Sequence, residues 1–252
     1  MNTENKTKSP VLTTDNGDIY FDWFYEHYED SHQNLMEASE GKVPLNIVLF
    51  DVRLNNTLSM DITLNQRFRY AKNNLAREVF RLMIKITNIW FCYEAILAAC
   101  DESGLLQNNK SKINSLRNDV LEDLEKNYNI YDVMFSFWGM SGDLLSSNEK
   151  YRADIQRYVD HLAKGATSWE QKRYLPDVYN RFTNHEMFSV QEVLSLAYAI
   201  RNQYVHAGES PKSGVAHYST KIAILQDCYD FMVLFCLRLG TLVVDRSISK
   251  ID

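Results

Sequence analysis

Two runs of apolar residues step through this chain at alternating intervals of four and three. The first is Leu75, Val79, Leu82, Ile86, Ile89, Tyr93 and Ile96. The second is Tyr218, Ile222, Leu225, Tyr229, Met232, Cys236, Leu239 and Val243. An α-helix turns once in about 3.6 residues, so each run lies along one helical face. Two such faces must bury against partners. No proline falls between Pro44 and Pro176, so no residue of that kind breaks the first helix. The chain is 45% hydrophobic, enough to fill a core of some size. The fold class that satisfies these constraints is all-α, an antiparallel helical bundle.

Around the two seams the sequence divides into an extension, residues 1–60, and the bundle, residues 61–252. Residues 1–17 read as a loosely attached tail. Asp18 to Leu35 carries Tyr20, Phe21, Trp23, Phe24, Tyr25 and Tyr28 at helical spacing, an aromatic stripe of the kind that usually fills a core. Gly41 and Pro44 then interrupt the chain. Ile47-Val48-Leu49-Phe50 is its best candidate for a short strand. After the first seam, helices are expected over Lys112–Tyr128, Ile130–Trp138 and Asn148–Lys164, the last ending at Gly165. Trp169 to Thr183 suggests a short helix and a loop around Pro176. Ser189-Val190-Gln191-Glu192 has the form of a capping box. It opens a helix whose seam is Val190, Val193, Leu194, Ala197, Ile200 and Tyr204, and Gly208 is placed to end it.

Charge and cysteine content narrow the function classes. The net charge of −6 argues against a protein that coats nucleic acid by bulk attraction, though not against a local basic pocket. Cys92, Cys100, Cys228 and Cys236 form no C-x-x-C pair and read as reduced core thiols. The six histidines make no H-x-x-x-H or H-E-x-x-H pattern, and no glycine-rich phosphate loop occurs. No metal site or cofactor is expected. Met1 to Thr14 is polar, and the apolar run Phe231–Leu237 is too short to cross a bilayer, so the expectation is a cytoplasmic chain with no membrane partner.

The stretch richest in chemistry is Arg201-Asn202-Gln203-Tyr204-Val205-His206, at the close of the capped helix. Arginine supplies a permanent charge and a fork of donors. Histidine takes and gives a proton near neutral pH. Positions five apart lie about 140° apart around a regular helix, so Arg201 and His206 meet only if the last turn loosens. In the plainer reading, Arg201 lies exposed beside the seam and His206 caps the final carbonyls. Arg181 to His185 echoes the pattern one residue short and reads as loop.

Leu196 to Gly208, with Arg201, Asn202, His206 and the small residues after it, resembles the signature of the HEPN superfamily. The order of helices over about residues 61–246 is similar too; residues 1–60 have no counterpart. The resemblance implies a metal-independent endoribonuclease at a symmetric homodimer interface. Arg201 and His206 would be catalytic and Asn202 their polar support. It further implies RNA as substrate, a 2′,3′-cyclic phosphate product, and a toxin or defence role with an antitoxin or regulatory partner protein. Two other readings stand beside it. One is a non-catalytic HEPN-like module for dimerisation or ligand sensing. The other is a subunit of a nucleotidyltransferase pair.

Overall fold

The computed structural model describes residues 17–67, 70–107, 111–128, 149–184 and 186–251. The expected helix over 130–138, the residues 1–16 and His185 lie outside them. The described residues form eight α-helices: α1 (Gly17–Ala38), α2 (Leu45–Leu58), α3 (Asn74–Glu102), α4 (Asn118–Asn127), α5 (Glu149–Lys164), α6 (Trp169–Asn184), α7 (Val190–Ala207) and α8 (Tyr218–Ile248). A 3-10 turn at Tyr70–Lys72 precedes α3. Among the described residues there is no strand, only an isolated antiparallel bridge between Leu106 and Leu116.

The two seams do what their spacing requires. α3 and α8 form the longest contact in the molecule, and α7 packs on α3 beside it. Val79, Leu82, Ile86, Ile89, Tyr93 and Ile96 are buried, as are Leu225, Met232, Cys236, Leu239 and Val243. Leu75, at the first end of its seam, stays exposed. All four cysteines are free and buried, and burial raises their thiol pKa values. By length and composition α3 would be long and apolar enough to cross a membrane, but 67% of its most apolar window is buried in this core.

The extension joins the same core. α1 lies on α8 and α2 on α3. Phe24, Tyr28 and Leu35 from α1, with Ile47, Phe50 and Leu54 from α2, enter one continuous cluster with the bundle residues. The strand expected at Ile47–Phe50 is instead the first part of α2. Ile47, Phe50, Leu54 and Thr57 are buried at helical spacing while Val48 and Leu49 face outward. A run of four apolar residues fits either period, and Pro44, just ahead of α2, favours the helix.

Two other helix boundaries differ from expectation. The chain from Ser111 to Arg117 is a series of bends, and α4 begins only at Asn118. Ser111 Oγ accepts the amides of Ile113 and Asn114, and the Tyr93 hydroxyl donates to the Lys112 carbonyl. These bonds offer the backbone an alternative to the helical ladder. Conversely, α6 runs through Pro176. Pro176 is exposed, while Gln171, Leu175, Val178 and Phe182 hold both halves of the helix against the core. Packing of that face outweighs the missing amide.

Candidate active site at the end of α7

The end of α7 is fixed from both directions. Its capping box is formed: Ser189 Oγ accepts the Glu192 amide and Glu192 Oε2 accepts the Ser189 amide. Arg181 Nε also donates to Glu192 Oε1, which ties α6 to the start of α7 (3.2 Å). At the other end Gly208 adopts φ +64°, the left-handed conformation that stops the helix. The Gly208 and Glu209 amides both turn back to the Gln203 carbonyl, skipping the usual four-residue step.

Arg201, Asn202 and His206 come together on this last stretch. Arg201 Nη1 donates to Asn202 Oδ1 (2.9 Å) and to His206 Nε2 (3.1 Å). Guanidinium can only donate, so Nε2 is the acceptor in this contact. The meeting does not need a loosened turn ahead of His206, because α7 stays helical through Ala207. The long arginine side chain crosses the gap that the backbone angle leaves. The imidazole faces Arg201 rather than the helix carbonyls, so the capping role is not the one it takes. Of the two side chains, it is the guanidinium that Asn202 supports directly.

The electrostatics of Arg201 differ from those of most arginines nearby. Arg117, Arg157, Arg181 and Arg246 each pair with a carboxylate. Among the described residues no carboxylate lies within ion-pair distance of Arg201, and no hydrogen bond reaches its Nε or Nη2. Its charge instead lies 5.4 Å from the centre of the Phe91 ring on α3. Arg201 is half-buried and His206 is exposed. Nε is buried, so Nη2 is the donor left free; a guanidinium with a free donor beside an accessible imidazole can hold a phosphate and exchange a proton.

Two supporting residues escaped the sequence reading. Phe91 lies off the α3 seam, and no local pattern marks it as a platform for an arginine far along the chain in α7. Gly165 reads as a helix stop, but it has a second role. A Cβ there would fall 1.4 Å from Gln203 Nε2, so glycine leaves the space that the Gln203 amide occupies beside the end of α5.

Just past the site, the loop to α8 is locked by buried charge. Lys221 on α8 bonds Glu209 and also donates to the carbonyls of Ser210 (3.3 Å) and Ser213 (3.0 Å). Both members of the pair are fully buried, and the ammonium lies 4.7 Å from the centre of the Tyr158 ring. Burial lowers the Lys221 pKa, and the Glu209 charge opposes that shift. Asp154 on α5 accepts the amides of Ala216 (2.9 Å) and His217 (2.7 Å) and the His217 ring (2.8 Å). Burial alone would raise the Asp154 pKa; these donors outweigh it and hold the carboxyl below its usual range.

Among the described residues no group of three or more histidine, cysteine or acidic side chains is arranged to hold a metal ion. No family model, curated protein or solved structure matches this chain.

Proposed function

We propose that this protein is a metal-independent endoribonuclease of HEPN type, acting as a homodimer through Arg201 and His206. The observation that carries the reading is the contact between the Arg201 guanidinium and Nε2 of an exposed His206. In the cutting step Arg201 Nη1 moves from Nε2 to the phosphate, and the freed Nε2 lone pair accepts the proton of the ribose 2′-hydroxyl, which attacks the adjacent phosphorus. The bond from phosphorus to the 5′-oxygen breaks, leaving a 2′,3′-cyclic phosphate on one fragment. The 5′-oxygen takes a proton from a second imidazole, the His206 of another copy. Arg201 presents Nη1 and Nη2 to the non-bridging oxygens and stabilises the charge growing there. Asn202 holds the guanidinium in line.

The surface beside the site supports closure by a second copy. Phe91, beneath the guanidinium, and Val205, next to the imidazole, are both exposed apolar side chains. The cellular role that fits such an activity is a toxin or defence effector held in check by a partner protein.

The test is incubation of the purified chain with single-stranded RNA in EDTA, beside Arg201→Ala and His206→Ala. Cleavage survives chelation in the parent and disappears in both variants. A chain that forms its dimer yet cuts no RNA would favour a non-catalytic dimerisation module instead. In cells, expression of the parent slows growth and expression of His206→Ala does not.

A further inference from the structure

A cavity of about 560 Å³ opens one helical turn from the candidate active site. Its walls come from the bend at Ser111–Asn114, the start of α6 at Ser168–Glu170, and Tyr198 of α7. We infer that this cavity takes one unpaired base of the RNA strand, stacked against Trp169 and Tyr198, with its phosphate directed to Arg201. The inference rests on the ribonuclease reading for its ligand, but it makes a separate claim about binding.

Four observations support it. First, the walls are aromatic and one of them is open. Trp169 is 65% exposed, a large indole left at the mouth of the cavity. Its ring is steadied from the next turn by the Arg173 guanidinium, 5.4 Å from its centre. Every base has a π-face, so an indole in this position takes a base without regard to sequence.

Second, the opposite wall is pre-set. Tyr198 stacks on Trp90 at 4.8 Å with ring planes 18° apart. The indole of Trp90 is itself pinned by its N–H to Glu94 Oε1 (2.9 Å), and Lys112 closes on the same carboxylate. The bend that forms the third wall is held by the Tyr93 hydroxyl and by Tyr174, which donates to Asn114 Oδ1 (2.9 Å). A ligand entering here meets walls that need little ordering, which favours affinity.

Third, polar groups stand at the edge of the cavity. Ser168 and Glu170 line it beside the indole. A carboxylate accepts from the exocyclic amino groups that cytosine, adenine and guanine carry.

Fourth, one helix, α7, carries both Tyr198 of the cavity wall and Arg201. Trp90 backs Tyr198, and its neighbour Phe91 lies under Arg201. Tyr198 precedes Arg201 by three residues, about 5 Å along the helix axis. That is close to the reach of one nucleotide step.

The experiment uses full-length His206→Ala protein, so that bound RNA stays intact. A fluorescein-labelled single-stranded RNA is titrated with this protein and with the same protein carrying Trp169→Ala or Trp169→Phe, and anisotropy is read. Trp169→Ala weakens binding by about fivefold to a hundredfold, in keeping with the loss of one stacked base. Trp169→Phe, which keeps a ring, stays within about threefold of the parent. Equal affinity of Trp169→Ala and the parent overturns the inference, as does the absence of any RNA binding. A parallel titration with adenosine monophosphate separates the two sources of a base. Binding of the free nucleotide as tight as that of the strand, and equally dependent on Trp169, would overturn the assignment to RNA. Failure here is distinct from failure of the ribonuclease reading. RNA that binds through Trp169 but is never cut by the parent removes the nuclease and leaves the cavity. Cutting that needs Arg201 while Trp169→Ala binds normally does the reverse.

Discussion

Three positions separate His206 from Glu209, yet the two ends of this short stretch use charge in opposite ways. On one side, a half-buried Arg201 meets an exposed His206 at a helix end, with one guanidinium donor free and, among the described residues, no carboxylate to neutralise it. On the other, Glu209 and Lys221 are sealed from water and bonded to each other, and Lys221 also donates to backbone carbonyls. The residue types are nearly the same: a cation, a partner that accepts its proton, an aromatic ring beneath. Water access decides the outcome. A buried pair is expensive to break because the survivor is left charged in a poor solvent. An exposed pair costs the fold little to remove, and its donors remain available to a ligand. The sealed cluster also fixes the loop that ends α7, so the rigid half of the comparison positions the open half.

The comparison can be broken by exchanging the effects of substitution on the two sides. The largest change is expected at His206. His206→Ala lowers the rate of RNA cleavage about 10²–10⁴-fold, the usual contribution of a general acid or base, while the thermal midpoint stays with that of the parent. A large drop in the midpoint would mean that the open pair is structural after all. Glu209→Ala comes next. It strands the Lys221 ammonium in the core and costs about 3–5 kcal/mol in denaturant unfolding. A loss under about 1 kcal/mol would show that the pair is not sealed.

Asp154 sharpens the comparison through pH. Its carboxyl is held below the ordinary range in the folded state by the donors at Ala216 and His217. A depressed acid contributes stability that is present above its unfolded value, about 4. That stability fades as pH falls through the folded value. The parent therefore loses stability more steeply between about pH 4 and acid than Asp154→Asn does. At neutral pH the substitution costs about 1.5–3 kcal/mol, the worth of hydrogen bonds to a charged group. Matching curves for the two proteins would remove Asp154 from the clamp on the α7–α8 loop.

Much of this layout is legible from sequence because periodicity is a long-range signal. Each seam repeats over several turns, and the two seam helices appear in place, as do the capping box of Ser189 and the stop at Gly208. Short signals fail where tertiary packing or side-chain bonds compete with them. Ile47–Phe50 is too short a run to show its period, and α2 takes it. Pro176 is carried inside α6 because its neighbours are anchored on both sides. The bend at Ser111–Asn114 is set by a serine hydroxyl and by tyrosines distant in sequence. For the site, the sequence names Arg201, Asn202 and His206, since all three share one helix end. It gives no hint of Phe91, whose place under Arg201 comes from the packing of α3 against α7. The same holds for Glu209 and Lys221, a pair that no sequence pattern singles out and that tertiary packing buries.

The most direct measurement of the central claim is the chemistry of the cut end. A single-stranded RNA and a DNA of matching sequence are incubated with the protein in EDTA, and the products are resolved by mass. If Arg201 and His206 direct the 2′-hydroxyl onto its own phosphate, the RNA yields fragments ending in a 2′,3′-cyclic phosphate and the DNA stays whole. Cleavage of both strands alike, or RNA cleavage that persists in Arg201→Ala, would contradict the account.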